Sequence, residues 1–357
     1  MPFKLYYNNS SYTISDFNGS FLSHTDPILG FIDQWQQGQQ TFEVKTSGST
    51  GPPKTISLYR DQLIASAKST CESLFLKEND SAVLCLNPLN IGGKMMIVRA
   101  LVQNLILHVV PPSSNPLLNL PSEIDPDFIA LVPLQLEEIL SSPLSKTRLN
   151  TSKAILVGGA AITPELINLS QSIEAPVYST FGMTETVSHI ALKRINGKNP
   201  DDSFKVLKDI TISTDSENCL QIQGAVTQNE VLQTNDIVEL IDPTSFKWLG
   251  RKDNVINSGG VKINPEQIEQ KISDLIKSTL HCEFIIGGIP DTRYGEIAVL
   301  ILNHSPLTDE EEDYILSTIK KSCPPYSSPK KIRYTSHFAK TNNGKLLRME
   351  IVNNIRN

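Results

Sequence analysis

Cysteines are few and unpaired in this chain. The five, Cys71, Cys85, Cys219, Cys282 and Cys323, are widely spaced, and no Cys-x-x-Cys occurs. An odd, scattered set argues against a disulfide framework and a thiolate zinc site, and for reduced thiols in a cytoplasm. Positive charge is not in excess either: 32 Lys and Arg stand against 38 Asp and Glu, a formal charge of −6. That excludes a general basic field for holding nucleic acid. Long hydrophobic runs are absent. The longest apolar stretch, 95–110, is broken by Arg99, Gln103, Asn104 and His108, too short and polar to span a bilayer. The first residues, Met1 to Asn9, lack the apolar segment of a signal peptide. No internal repeat is evident. What remains is a chain of 357 residues, 39% hydrophobic and 20% charged, which suits a soluble globular protein of two or three domains.

From about residue 81, short apolar runs alternate with segments of helical character. Strands are expected at 82–86, 105–110, 128–132, 154–157 and 177–179, with helices over 94–102 and 134–140. Another helix is expected to start at Thr163-Pro164-Glu165, with Thr as N-cap and Pro at the first helical position. Uninterrupted apolar strands between helices imply a mostly parallel sheet covered on both faces. Ligands of such sheets bind outside the carboxyl ends of the strands, so the segments at Asn87, Gly158 and Gly182 are expected to converge on one cleft. After about Gln221 the strands become shorter and more polar, at 237–241 and 246–249, until Gly250-Arg251-Lys252-Asp253 interrupts as a polar turn. A compact α+β pattern follows. A helix from Asn264-Pro265-Glu266 places Ile268, Ile272, Leu275 and Ile276 on one face, strands are expected at 282–286 and 298–302, and Thr308-Asp309-Glu310-Glu311 is a capping box. The expectation is therefore an α/β fold: a large N-terminal domain over 1–249 with mostly parallel, helix-covered sheet, and a small α+β C-terminal domain over 250–357.

The densest chemical signal is Thr46-Ser47-Gly48-Ser49-Thr50-Gly51-Pro52-Pro53-Lys54. Glycines let a backbone approach an anion, successive N–H groups and hydroxyls donate to phosphate oxygens, and a lysine adds a point charge. The stretch is not a P-loop, because Lys54-Thr55 follows Pro53, which cannot donate an N–H. By residue type alone, a Ser/Thr/Gly/Pro cluster also suits a solvated loop.

This loop resembles the phosphate-binding signature of the adenylate-forming superfamily of acyl-CoA synthetases, peptide-synthetase adenylation domains and luciferases. Four further motifs follow in the superfamily's order. Gly158-Gly159-Ala160-Ala161 resembles the strand-end segment against which adenine lies, though a tight strand-to-helix turn needs the same residues. Phe181-Gly182-Met183-Thr184-Glu185 resembles the aromatic-Gly-x-Thr-Glu signature. The resemblance implies that the aromatic packs near adenine, that Thr184 donates to the α-phosphate, and that Glu185 is an oxygen ligand for Mg²⁺. Phe181 stands where the superfamily usually has Tyr. Thr234-Asn235-Asp236 resembles Thr-Gly-Asp, whose Asp grips the ribose, with Asn235 in place of Gly as a residue that tolerates left-handed backbone. Gly250-Arg251-Lys252-Asp253 resembles the hinge motif, with Arg251 a second ribose or phosphate contact and Asp253 the pivot. Finally, 339–348 resembles the terminal motif in which Lys345, beside Gly344, is the catalytic lysine; by type alone it is a solubilising surface residue.

The resemblance covers about 41–348 and implies a two-step reaction with ATP, Mg²⁺ and coenzyme A as cofactors and a small-molecule carboxylic acid as partner. The acid is first adenylated, with loss of pyrophosphate; CoA then displaces AMP, with Ser258-Gly259-Gly260 near the pantetheine arm. The segment Thr184 to Ile190 resembles 2-succinylbenzoate–CoA ligases of menaquinone biosynthesis, whose acid carries a second carboxylate. Lys94, Arg99, Ser188, His189 and Lys193 are candidates by type for holding it, each equally at home as surface or core. Asn87-Pro88-Leu89-Asn90 lacks the His of the superfamily's Pro-Leu-aromatic-His pattern, so the acyl side is remodelled. Another aryl- or short-acyl-CoA ligase, a carrier-protein-loading enzyme and a non-catalytic nucleotide-binding homologue stay open. Oligomeric state is not legible.

Overall fold

The apolar runs are strands because both of their faces are covered. In the computed structural model, which describes residues 3–21, 25–45, 55–341 and 345–356, strand Ala154–Val157 is buried throughout. Its side chains alternate: Ala154 and Leu156 join one hydrophobic core, Ile155 and Val157 the other. Ala82 and Leu84 against Val83 and Cys85 repeat the division. Period-2 alternation between two apolar layers is what turns a continuous hydrophobic run into a central strand.

Compactness divides the chain into 1–213 with 222–232 and 241–246, and 214–221 with 233–240 and 247–357. Residues 214–221 and 233–240 thus group with the C-terminal part. The first unit is an α/β fold. Its strands lie in the order Ser10–Thr13, Lys4–Tyr7, Ile106–Val109, Ser81–Leu84, Phe128–Leu131, Ala154–Val157, Val177–Gly182, His189–Arg194, Phe204–Val206. The run from Lys4–Tyr7 to Val177–Gly182 is parallel throughout, and the flanking pairs are antiparallel. Parallel strands share one carboxyl edge, and Gln135 staples three chain segments there. Its Oε1 accepts from Val132 N at 3.1 Å, and its Nε2 donates to Cys85 O and Ser113 O at 3.3 and 2.9 Å.

Helix Pro164–Ser170 starts as expected, with the Thr163 hydroxyl accepting from Leu166 N and Pro at the first turn. Helices Pro27–Gln36, Arg60–Ser73, Pro143–Leu149 and Arg348–Arg356 add to those the sequence pattern predicts. Strands Thr41–Lys45 and Thr55–Tyr59 form an antiparallel hairpin closing at Lys45 and Thr55. Residues 46–54 connect them, so Thr46, Ser47, Gly48, Ser49, Thr50, Gly51 and Lys54 of the phosphate-loop motif lie outside the described residues.

The expectation of short strands after Gln221 is corrected: Leu232–Asp242 and Ser245–Arg251 are long. Thr234-Asn235-Asp236 lies inside the first of them, not before it, and Asn235 is not among the residues of positive φ, so its supposed left-handed backbone is not used. The second unit carries a five-stranded sheet in which Gly295–Asn303 is central, antiparallel to Phe284–Asp291 and Ile256–Ser258 and parallel to Lys331–Thr335. Helices Pro265–Leu280 and Asp309–Ser322 supply Ile268, Ile272, Ile315 and Ile319 to one core. Phe338 and helix Arg348–Arg356, through Ile351 and Val352, build a second. The capping box at Thr308 forms, its hydroxyl accepting from Glu311 N.

Candidate active site

In the first unit Gly158, Gly159 and Ala160 leave the carboxyl end of Ala154–Val157. A Cβ on Gly158 would lie 2.3 Å from Thr180 Oγ1, so only glycine lets the strand end lie this close to its neighbour. Phe181 packs in a three-ring cluster, edge-on to Phe246 at 5.0 Å and tilted against Phe204 at 5.6 Å. An apolar ring suits that place, which gives Phe rather than Tyr a physical reason.

Gly182 and Met183 lead into the single turn Thr184–Thr186, where Glu185 is exposed. Thr186 closes the turn: its hydroxyl accepts from Met183 N at 3.1 Å and donates to Ser188 O at 2.8 Å. Val187 is buried with φ 67 and ψ −57, and Ser188 N donates to Thr186 O at 2.7 Å. This is a γ-turn on a β-branched residue, a conformation costing roughly 1–3 kcal/mol and held by its surroundings.

Ser188 and His189 sit just after that strained turn. The Thr70 hydroxyl donates to Ser66 O at 2.9 Å, so its oxygen accepts from His189 Nε2–H at 3.0 Å. His189 Nδ1 is then the unprotonated nitrogen, 3.4 Å from Ser188 Oγ. Burial, and then Arg99, push its pKa well below the usual histidine value. His189 therefore supplies no positive charge. Arg99 does. Its guanidinium is buried, Nη2 donates to Ser188 Oγ at 3.1 Å, Nε has no hydrogen-bond partner, and no carboxylate pairs with it among the described residues. Burial pushes its pKa down to about 10, so it stays charged at neutral pH. Neighbouring Cys71, raised to about 11 by burial, stays a neutral thiol. Lys94 is occupied elsewhere, donating to Glu43 O at 2.7 Å beside the Phe31 ring.

The second unit brings Asp236, Arg251, Asp253 and Lys345 together. Asp236 is buried; its Oδ1 accepts from Trp248 Nε1 at 2.8 Å and its Oδ2 lies 3.6 Å from Arg251 Nη1. Burial raises the Asp236 pKa, against the pull of Trp248 and Arg251. Arg251 Nη2 donates to Asp253 Oδ2 at 2.7 Å. Lys252 turns away to pair with Glu217. Lys345 is exposed and makes no ion pair among the described residues. Crowding by protein, then Arg251, lowers its pKa, and Asp236 opposes them. Gly344 lies outside the described residues. Ser258 ends a short strand, and Gly259 N donates to Tyr294 O at 2.8 Å, with Gly260 completing the turn. Trp248 lies in none of the sequence motifs. Alternation along Ser245–Arg251 was the available signal, since it puts Trp248 on the face of Phe246 and Gly250.

Among the described residues no group of three His, Cys, Asp or Glu could hold a metal. Glu185 is a single free carboxylate, which fits a Mg²⁺ that keeps waters and phosphate oxygens as its other ligands. Among the described residues no helix is long and apolar enough to cross a membrane.

The first unit thus holds a parallel α/β sheet with a Thr-Glu turn beyond its carboxyl edge, and the second an Asp–Arg–Lys cluster. Residues 45–212 match the model of the AMP-binding enzyme family. A crystal structure from Dyadobacter fermentans, described as an acyl-CoA synthetase (AMP-forming)/AMP-acid ligase II-like protein, is 36% identical over 95% of both chains, with a TM-score of 0.63. The chain belongs to the AMP-binding enzyme family. A 2-succinylbenzoate–CoA ligase of Staphylococcus epidermidis is 27% identical, aligned over 86% of this chain and 68% of its own length. The fold is shared with o-succinylbenzoate coenzyme A synthetase of Bacillus subtilis in complex with ATP and magnesium, at 22% identity, covering 87% and 69% of the two chains, TM-score 0.69.

Proposed function

We propose that the chain is an ATP-dependent carboxylate–CoA ligase and that its acid is 2-succinylbenzoate. A carboxylate oxygen attacks the α-phosphorus of ATP; the bond from that phosphorus to the bridging oxygen breaks, and pyrophosphate leaves with its electron pair. The CoA thiolate then attacks the acyl carbon of the mixed anhydride and AMP leaves. Such chemistry needs positioning and charge neutralisation more than covalent help. Lys54 and the hydroxyls of Thr46, Ser47, Ser49 and Thr50 would hold the departing phosphates, with Gly48 and Gly51 giving backbone access. Gly158, Gly159, Ala160, Phe181, Gly182 and Met183 would border adenine, Asp236 and Arg251 would take the ribose, and Thr184 would donate to the α-phosphate. Glu185 would hold a Mg²⁺ bound to ATP, which would supply charge neutralisation at the phosphates. Lys345 would offset the charge that builds as carboxylate and α-phosphate approach.

The observation that carries the choice of acid is Arg99. A buried guanidinium without a carboxylate is costly. It donates to Ser188 Oγ, whose O–H faces the unprotonated His189 Nδ1 at 3.4 Å and would turn from that long contact to a carboxylate placed closer. An acid with a second carboxylate on Ser188 would complete the charge balance, and a monocarboxylic acid would not. The names of the Staphylococcus and Bacillus relatives support the same substrate. The test is pyrophosphate release with ATP, Mg²⁺ and CoA over a panel of acids. Release confined to 2-succinylbenzoate is expected; equal or better release with another acid would discard that substrate, and none with any acid would favour a non-catalytic homologue.

Two further outcomes follow. Asp253 is read as the hinge between a 1–249 adenylation domain and a mobile 250–357 domain, whose Ser258-Gly259-Gly260 turn would meet pantetheine. Asp253→Pro fixes φ and is expected to slow thioester formation more than adenylation. Asp253→Ala, which removes only the pair with Arg251, controls for that contact. Equal loss of both half-reactions would contradict the hinge. Next, the chain has two tryptophans, and Trp35 is buried while Trp248 is bonded to Asp236. ATP is expected to change the fluorescence of the protein, and Trp248→Phe to abolish the change; a response that survives the substitution would count against ribose binding at Asp236.

A further inference from the structure

Glu266 touches three parts of the second unit at once. It opens helix Pro265–Leu280, where its amide donates to Asn264 Oδ1 at 3.2 Å. Its Oε1 accepts from Asn254 Nδ2, in the turn that holds Asp253. The same oxygen lies 4.0 Å from Arg348 Nε. Its Oε2 is buried without a hydrogen-bond partner and lies against Gly250, where a Cβ would approach it to 2.6 Å. The bare α-carbon of Gly250 is what lets the carboxylate reach the residue before Arg251.

Arg348 is itself clamped. Nη1 and Nη2 each donate to Glu269 at 2.7 Å, and Nη1 also donates to Ile286 O at 2.7 Å. Glu269 Oε1 in turn accepts from Ile286 N at 2.6 Å. A bidentate guanidinium–carboxylate pair fixes direction as well as distance. Only Leu346 and Leu347 separate Arg348 from Lys345. That arm is pinned on both sides of the lysine: Thr341 N donates to Lys345 O at 2.8 Å, and Leu347 N to Ala339 O at 2.9 Å. A buried acceptor left without a donor is destabilising, a cost that an apolar residue at this position would avoid.

From this geometry we infer that Glu266 is a positioning residue: it ties Asn254, the residue after the Asp253 pivot, to Arg348, so that the end of the turn beyond the pivot and the Lys345 arm move as one rigid piece. The inference rests on the reading of Lys345 given above. Glu266→Gln keeps the size and an acceptor for Asn254 but removes the charge facing Arg348; Asn254→Ala cuts the other contact. Each is expected to lower acid-dependent pyrophosphate release about tenfold, with KM for ATP within about twofold. In a Lys345→Ala background neither is expected to lower the residual rate further, because residues acting as a unit are not additive. Additive losses would overturn the inference. Amide hydrogen exchange of the free protein gives a readout that needs no acid. Glu266→Gln is expected to speed exchange over 345–347 and leave helix Asp309–Ser322 unchanged; unaltered exchange over 345–347 would overturn it. Failure of the ligase reading would be distinguishable, as absence of pyrophosphate release by the unsubstituted protein with every acid.

Discussion

Replacing Lys345 by alanine is expected to lower acid-dependent pyrophosphate release by at least about a hundredfold, with the affinity for ATP changed by no more than about twofold. Lys345 is exposed and holds no ion pair among the described residues, so its removal breaks none there. What is lost is a charge that matters as two anions are forced together. The flanking electrostatics add a pH signature. Crowding and Arg251 hold the Lys345 pKa below the ordinary lysine value. The protonated form is the active one, so adenylation is expected to decline, as pH rises, from a lower pH than an ordinary lysine would give. Lys345→Arg is expected to move that decline upward while slowing the reaction, because a guanidinium is broader and stays charged. Pyrophosphate release by the alanine variant equal to that of the unsubstituted chain would contradict the role.

The second large effect is expected at Arg99. Arg99→Met keeps most of the side-chain volume and removes a buried charge that no carboxylate among the described residues neutralises, so the fold is not expected to suffer. Turnover of 2-succinylbenzoate is expected to fall about a hundredfold in kcat/KM, the ~2–3 kcal/mol of a charge-assisted hydrogen bond. Its analogue without the ring carboxylate, 4-oxo-4-phenylbutanoate, is expected to be turned over slowly and equally by both proteins. Ser188→Ala should reproduce the discrimination, since Arg99 acts through that hydroxyl. Equal losses with both acids would assign Arg99 to holding the Val187 turn and remove it from substrate choice.

The parallel strands were legible because burial on both faces leaves continuous apolar runs, as at Ala154–Val157. Thr163, Asn264 and Thr308 marked helix starts because N-cap chemistry is local, and each side chain accepts a first-turn amide. Helix Arg60–Ser73 was not legible, because it buries Ser66, Ser69 and Thr70 and so lacks a clean apolar stripe. The Thr-Glu turn could be read from its residues, but not the γ-turn at Val187, which a β-branched residue adopts only under tertiary constraint. Arg99 and His189 looked alike as candidate cations. Burial separated them, because a histidine gives up its proton where a guanidinium keeps its charge. Glu266 carried no signal, since its partners Asn254 and Arg348 are distant in sequence.

The most direct test of the account follows oxygen from the acid. With 2-succinylbenzoate labelled with ¹⁸O in the succinyl carboxylate, plus ATP, Mg²⁺ and CoA, attack on the α-phosphorus predicts that AMP acquires a single labelled oxygen in each turnover, alongside the CoA thioester. AMP without label, or label found in inorganic phosphate beside ADP, would contradict an acyl-adenylate and with it the central claim.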